Sequence, residues 1–149
     1  MKVIEYFCSM KVRKELTKDF YETVLSWWGK HKILVGDKRI PFPAIPIAFL
    51  PQNVFVASDN GKDLYSCFLY HTDSGLCWLA YPVSNLETTK EEREGALEFL
   101  FNEMEIYARE QGYFLMFTTS PVKAVANALK GVGYVEGDVL VTQYLKHLI

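Results

Sequence analysis

The stretch NVFVASDNGKDLYSCFLYHTDSGLCWLAYPVSN, residues 53–85, decides the fold. It carries three runs rich in β-branched and aromatic residues, about Val54–Ser58, Lys62–Tyr70 and Leu76–Val83. Two turn signals separate them. Asn60-Gly61 tolerates the positive φ that a two-residue hairpin demands, and His71–Gly75 supplies a second, longer turn. The stretch therefore predicts a three-stranded antiparallel meander.

Upstream, Val3–Arg13 predicts a first strand, followed by ELTKDFYETVLSWWGK, a helix with Phe20, Val24, Trp27 and Trp28 on one face. Thr17 is the expected cap, Leu16 and Tyr21 have the spacing of a hydrophobic staple, and Gly29 is the expected stop. Between Lys30 and Gln52, four prolines (Pro41, Pro43, Pro46 and Pro51) predict an irregular, extended segment, because proline removes a donor and restricts its predecessor. Its apolar residues Phe42, Ile45, Ile47 and Phe49 predict packing on the body rather than a flexible linker.

Downstream, Thr89 and Glu92 have the spacing of a capping box opening one long helix, with an apolar stripe of Leu97, Leu100, Phe101, Met104 and Ala108 that ends at Gly112. YFLMFTT, residues 113–119, reads as a short strand buried on both faces. Ser120 and Pro121 then open a second helix, carrying Val122, Val125, Ala126 and Leu129, and Val139–Leu145 forms a last strand. A meander followed by a β-α-β crossover gives an α/β (α+β) chain, a mixed sheet with helices on both faces.

The bulk numbers bound the rest. The 149 residues suit one domain spanning residues 1–149, long enough to bury a core without metals or disulfides. A formal net charge of −2 gives no general drive toward nucleic acid or an anionic membrane. Cys8, Cys67 and Cys77 are odd in number and contain no CxxC pair; they read as small buried hydrophobes in a reducing, cytoplasmic compartment. The N-terminus lacks the pattern of a signal peptide, and no apolar run approaches the roughly 20 residues that span a bilayer. No His, Cys, Asp and Glu cluster has metal-ligand spacing, so no metal is expected.

The order of elements is similar to the GNAT acyltransferase superfamily, over nearly the whole chain. VRKELTKDF (12–20) resembles that family's first strand turning into its first helix, GALEFLFNEMEIYAREQGY (95–113) its central helix, and KGVGYVEGD with VTQYLKHL (130–138, 141–148) its closing helix, turn and final strand. The resemblance implies a mostly antiparallel sheet with one splayed parallel pair. It also implies acetyl-coenzyme A as co-substrate, an amine of a small molecule or peptide as acceptor, and pairing of two copies as a homodimer. The family holds the cofactor's pyrophosphate on a [QR]-x-x-G-x-[GA] loop at a helix N-terminus, where free amides suit an anion. The matching window is Glu92-Arg93-Glu94-Gly95-Ala96-Leu97, in which Gly95 alone agrees. Four glutamates (87, 91, 92 and 94) against Lys90 and Arg93 make residues 87–95 net negative; a first-turn capping role for Glu91, Glu92 and Glu94 is the plainer reading.

By this resemblance the cofactor-side residues are Tyr81 and Val83 on the strand Leu79–Ser84, and Arg93, Glu94, Gly95 and Ala96 in the loop. The tyrosine that many members use as an acid falls at Leu129, and the frequent asparagine falls at Val122; Asn127 is the polar residue nearby, at a different offset. For proton transfer the candidates are Glu87 as a base acting through water and Tyr144 or Tyr81 as an acid, against a default of solvated acid and packed tyrosines. His71 lies in a turn and reads as a surface histidine. Trp27, Trp28, Phe42 and Phe49 fall on the acceptor side and read first as core packing. Two functions stay open: an acyl-coenzyme A-dependent N-acetyltransferase, or an inactive GNAT-like module that binds a partner or serves in an assembly.

Overall fold

A computed structural model describes residues 9–35, 37–42, 44–120, 122–139 and 141–148. Its frame grows from the Asn60-Gly61 turn, where both residues take positive φ (51° and 76°). That geometry turns the chain in two residues and matches the twist of the flanking strands. Strand β4 (Asn53–Asp59) pairs antiparallel with β5 (Lys62–Tyr70), and β5 with β6 (Leu76–Ser84). The three expected strands are thus in place to within one or two residues. Strand β1 (Met10–Leu16) joins β4 antiparallel, from Met10 opposite Asp59 to Leu16 opposite Asn53. Strand β7 (Leu115–Phe117) joins β6 in parallel, completing a sheet of order β1-β4-β5-β6-β7.

Alternation along the strands builds two cores. Phe55, Cys67, Leu69, Cys77 and Leu79 face helix α3 (Ala96–Glu110), which presents Leu97, Leu100, Phe101, Met104 and Ala108. Val54, Val56, Phe68 and Val83 face helix α1 (Thr17–Lys30), which presents Phe20, Val24, Trp27 and Trp28. Both apolar stripes fall where the helical period puts them. Helix α4 (Lys123–Gly131) lays Ala128 and Leu129 against the α3 side. The mixed α/β sheet with helices on both faces is the architecture expected from the sequence.

Several local expectations are corrected. Thr17 is inside α1, not its cap; the N-cap is Leu16, which has no capping side chain. The Thr17 hydroxyl instead donates to Pro51 O at 2.6 Å, and its amide to Gln52 O at 2.8 Å. Strand β1 runs straight into the helix because β4 holds it to its last residue. Helix α1 continues one residue past Gly29. The proline-rich segment is more regular than expected: β2 (Lys32–Val35) and β3 (Lys38–Pro41) form an antiparallel hairpin, and a 3-10 turn covers Ile47–Phe49. Phe42 and Ile45 pack on the α1-face core, whereas Ile47 and Phe49 are exposed.

The single helix expected from Thr89 is broken. A four-residue helix α2 (Lys90–Arg93) carries the capping box, and Gly95, at φ 76°, separates it from α3. Helix α4 begins at Lys123 with Val122 as its N-cap; the Ser120 hydroxyl accepts from Val122 N at 3.1 Å, and Pro121 lies outside the described residues. Residues 134–139 and 141–148 form neither helix nor strand, so the expected last strand is missing among the described residues. As a result β7 is not buried on both faces: Leu115 is 57 % and Phe117 43 % exposed. The part of the expected first strand before Ser9, with Cys8, lies outside the described residues.

Candidate functional site

The sheet opens between β6 and β7. Their parallel ladder has three steps, Leu76 with Leu115, Cys77 with Met116 and Trp78 with Phe117, and then stops. Strand β6 continues for six more residues to Ser84 while β7 ends. The stretch Leu79–Ser84 thus runs on without a β7 partner along the edge facing the splay. Backbone donors and acceptors on such an edge need partners from elsewhere.

A bulge shapes this edge. Ser66 faces Val83 and Phe68 faces Ala80, so Tyr81 and Pro82 together oppose Cys67. Tyr81 absorbs the extra residue with φ 54°, left-handed backbone that is costly for a bulky side chain. Its ring is held by Trp28, Phe68 and Tyr70, edge to face, with centroids 6.3, 6.5 and 6.3 Å away. Tyr70 donates its hydroxyl to Phe49 O at 2.7 Å, and burial together with the neighbouring Tyr81 pushes its pKa up to about 12. Beside the bulge the Ser66 hydroxyl is buried with no hydrogen-bond partner, an arrangement that structural packing alone does not favour.

The loop window lies against the end of the same strand. Arg93 Nη1 donates to Asn85 O at 3.1 Å, and to the carbonyl and hydroxyl oxygens of Thr88. This ties the α2–α3 break to the residue following β6. Gly95 then leads directly into the first turn of α3, and Ala96 is fully buried against Met10 and Leu64. The α3 N-terminus, with its free amides and positive dipole end, therefore stands beside the chain leaving the bulged edge.

Two of the four acids are engaged elsewhere, Glu92 and Glu87. Glu92 accepts from Thr89 N at 2.9 Å, completes the capping box and pairs with Lys62. The Lys62 hydrogen bond holds the Glu92 pKa below the usual carboxylate range. Capping is thus the role Glu92 fills. Glu87 pairs with Lys30 at 2.6 Å, which lowers its pKa and weakens it as a base. Glu94 is exposed beside Gly95.

Of the residues expected to form the site, Tyr81, Val83, Arg93, Gly95 and Ala96 fall on the bulged edge or the break beside it. Val83 is buried in the α1-face core rather than presented by its side chain. Asn127 is on the exposed side of α4. Tyr144 is 89 % exposed and outside any strand, so the final strand expected to carry it toward the cleft is not formed. His71 accepts or donates through Nδ1 with the Tyr113 hydroxyl at 3.0 Å in the exposed turn. Trp27 and Trp28 are buried in the core, as the plainer reading held.

Two features escaped the sequence reading. His31 Nε2 lies 3.0 Å from Ser84 O and 3.1 Å from Ser84 Oγ, bringing an imidazole to the end of the bulged strand. Trp78 and Phe117 stack edge to face at 4.7 Å, half exposed, where the β6–β7 ladder ends. No local motif marks either pair; each spans about forty residues or more and exists only once the sheet is assembled. Burial raises the thiol pKa of Cys67 and Cys77, which argues against thiolate chemistry.

Comparison with known proteins bears on the fold. No family model matches the chain, and no curated protein matches it in sequence. Solved structures do match. An aminoglycoside acetyltransferase from an uncultured soil metagenomic sample, in complex with sisomicin, superimposes with a TM-score of 0.64 at 14% identity, over 93% of this chain and 97% of that one. A probable acetyltransferase gives 0.63 at 15% identity, over 92% and 97%. The aminoglycoside N-acetyltransferase AAC(6')-Iy in complex with CoA gives 0.56 at 13% identity, over 93% and 95%. The fold is that of the GNAT-type acetyltransferases.

Proposed function

We propose that this chain is an acetyl-coenzyme A-dependent N-acetyltransferase acting on the amine of a small molecule or peptide. The observation that carries this reading is the juxtaposition of a splayed, bulged β6 edge with the α3 N-terminus, joined through Arg93 and Asn85. The group fits the donors present. The β6 backbone from Leu79 to Ser84 suits the amide-bearing arm of the co-substrate, and the amides after Gly95 suit its pyrophosphate. The cap and ion pair of Glu92 reduce the repulsion that the sequence window suggests. Fold analogy with proteins crystallised with sisomicin and with CoA raises the reading without identifying the acceptor.

In the reaction, the acceptor nitrogen in its neutral form attacks the thioester carbonyl carbon, the carbon–sulfur bond breaks, and the amine proton passes to solvent or a base. The leaving thiolate takes a proton, and Tyr81, whose backbone forms the bulge, is the candidate donor. Glu87, held by Lys30, contributes less as a base than the sequence implies. Positioning on rigid strands supplies much of the rate in such direct attack, where oriented reactants can gain several kcal/mol. The exposed Trp78–Phe117 pair gives the acceptor an aromatic surface beside the splay.

Thermal unfolding with and without acetyl-coenzyme A tests the reading, with desulfo-coenzyme A and adenosine diphosphate as controls. Ligand at about 100 times its dissociation constant adds roughly 2.7 kcal/mol. In a domain of this size that raises the midpoint by about 5–10 °C. A rise specific to the whole co-substrate supports the reading. No rise at millimolar concentration overturns it and leaves a GNAT-shaped binding module.

A further inference from the structure

Resting on the acyl transfer proposed above, the charge around the open β6 edge names the chemistry of the acceptor. Two substrates that meet at one carbonyl approach it from different sides. The α3 amides that suit the co-substrate stand on one face of the sheet, which leaves the acceptor the α1 face. Two features of that face border the open edge. The first is apolar. Trp78 alternates with Cys77 and Leu79 of the α3-face core, so the Trp78–Phe117 pair falls on the α1 face. The second is charged. Residues 30–39, KHKILVGDKR, hold Lys30, Lys32, Lys38 and Arg39 against Asp37 alone, in a chain of net charge −2. Lys30 is paired with Glu87. Lys32, Lys38 and Arg39 are exposed and make no ion pair among the described residues.

The foot of the β2–β3 hairpin is fixed to the open edge. Asn85 N donates to Leu64 O at 2.9 Å, back toward β5. The carbonyl of the same trans peptide points the opposite way, so Ser84 O faces the open side. His31 Nε2 stands 3.0 Å from that oxygen; a carbonyl only accepts, so Nε2 carries the hydrogen. His31 O in turn accepts from Phe42 N at 2.9 Å, which closes the hairpin at its foot. Trp28, one helical turn earlier, packs its ring against both Phe42 and Tyr81, with centroids 6.4 and 6.3 Å away. The hairpin therefore rises beside the bulged strand rather than at a distance from it. Its register sets Lys32 opposite Pro41 and Leu34 opposite Arg39. Lys32 and Arg39 thus share one face of the hairpin in diagonal positions, about 7–8 Å apart. That spacing lets an ammonium and a guanidinium hold one carboxylate or phosphate between them.

We propose that the acceptor is a small amine that also carries an anionic group, a carboxylate or a phosphate, which Lys32 and Arg39 hold while the amine reaches the bulge. The same two cations, with Lys38, repel a polycationic amine, so the hairpin selects by charge in both directions. His31 is a positioning residue in this arrangement: it ties the foot of the hairpin to Ser84 and so fixes where the cations stand relative to the edge.

Matched amines test this on the full chain: glucosamine 6-phosphate against glucosamine, and β-alanine against β-alaninamide, with sisomicin as the polycation. Thiol release from acetyl-coenzyme A gives kcat and KM, and calorimetry on the chain saturated with coenzyme A gives affinity. In at least one pair the anionic member is expected to bind about fivefold or more tighter than its neutral partner, an advantage carried by KM. It shrinks from about 0.1 M salt to about 1 M, where the Debye length falls from about 10 Å to about 3 Å. The double variant Lys32→Gln/Arg39→Gln is expected to abolish it, whereas Lys11→Gln/Lys18→Gln, which removes the same charge at exposed sites elsewhere, keeps it. Neutral amines or sisomicin matching the anionic members in both pairs overturns the proposal. So does an advantage that Lys32→Gln/Arg39→Gln keeps, or that Lys11→Gln/Lys18→Gln loses equally. If no amine turns over, calorimetry decides alone, and equal or absent binding there overturns it. Should the hairpin variant not fold, the salt dependence of the wild-type preference decides. The two readings fail differently: a missing thermal shift with acetyl-coenzyme A removes acyl transfer and this acceptor together, whereas a shift without anionic preference removes this acceptor alone.

Discussion

At the scale of single residues, Tyr81 concentrates the conflict between local preference and tertiary need. Its left-handed backbone costs about 1–2 kcal/mol relative to glycine, and its ring repays this through Trp28, Phe68 and Tyr70. The two contributions separate by substitution. Tyr81→Ala keeps the strain and loses the ring, and is expected to destabilise by about 2–3 kcal/mol, below the range for fully buried aromatics because Tyr81 is half-buried. Tyr81→Gly loses the ring but also the strain, and is expected to be more stable than Tyr81→Ala by about 1 kcal/mol, the reverse of their order in an ordinary strand. Urea unfolding of both variants measures the difference. Glu92 offers a second residue-level test. Its folded-state pKa is lowered by Lys62, so its contribution is present above the ordinary carboxylate pKa and is lost as pH falls through the depressed value. Glu92→Gln is expected to lower the melting temperature slightly at pH 7, with the gap closing in acid and shrinking in high salt, since the pair is exposed.

At the scale of elements, the legible features are those whose signal is local. Asn60-Gly61 turns because its two residues accept positive φ, and Thr89 with Glu92 caps a helix because both partners lie within one turn. The β2–β3 hairpin was hidden because Pro41 and Pro43 read as breakers, whereas Pro41 stands at the end of an edge strand that tolerates it. The break between α2 and α3 was hidden for the opposite reason. The stripe from Leu97 to Ala108 is so regular that it predicts one helix running on from Thr89, whereas Gly95 is left-handed and breaks it. A Cβ at Gly95 meets nothing within 4 Å, so the cost of replacing it is conformational. Gly95→Ala is expected to destabilise by about 1 kcal/mol, and Gly95→Asn, which accepts that backbone more readily, by less. Both re-aim the α3 amides, so Gly95→Ala is also expected to shrink the acetyl-coenzyme A thermal shift by more than its own loss of stability. Melting curves with and without the co-substrate check both.

For the whole molecule, the sequence carries the architecture and points to the β6 edge and the loop beside it, but not to the geometry that joins them. Apolar periodicity reports which faces are covered, and both helices lie where their stripes require. The splay, the bulge, the His31–Ser84 approach and the unpaired terminal segment depend on how separate elements meet, and no local period records that. The two-faced sheet itself makes a closing prediction. Val24 and Met104 are fully buried in different cores, on opposite faces of the sheet, with no shared member. Val24→Ala removes two methyl-sized groups, at about 0.8 kcal/mol each plus a cavity cost, and is expected to destabilise by about 2 kcal/mol. Met104→Ala, beneath Leu100 and Phe101, is expected to cost about 3 kcal/mol. Separated sites with no common partner add to within about 0.5 kcal/mol, so the double variant should lose about 5 kcal/mol. That approaches the lower limit of total stability for such a domain, about 5–15 kcal/mol, and the double variant is expected to be largely unfolded at 37 °C by circular dichroism. If the double variant is more stable than the sum by over 1 kcal/mol, the two faces yield together, and the sheet transmits strain from the α1 side to the α3 side instead of insulating them.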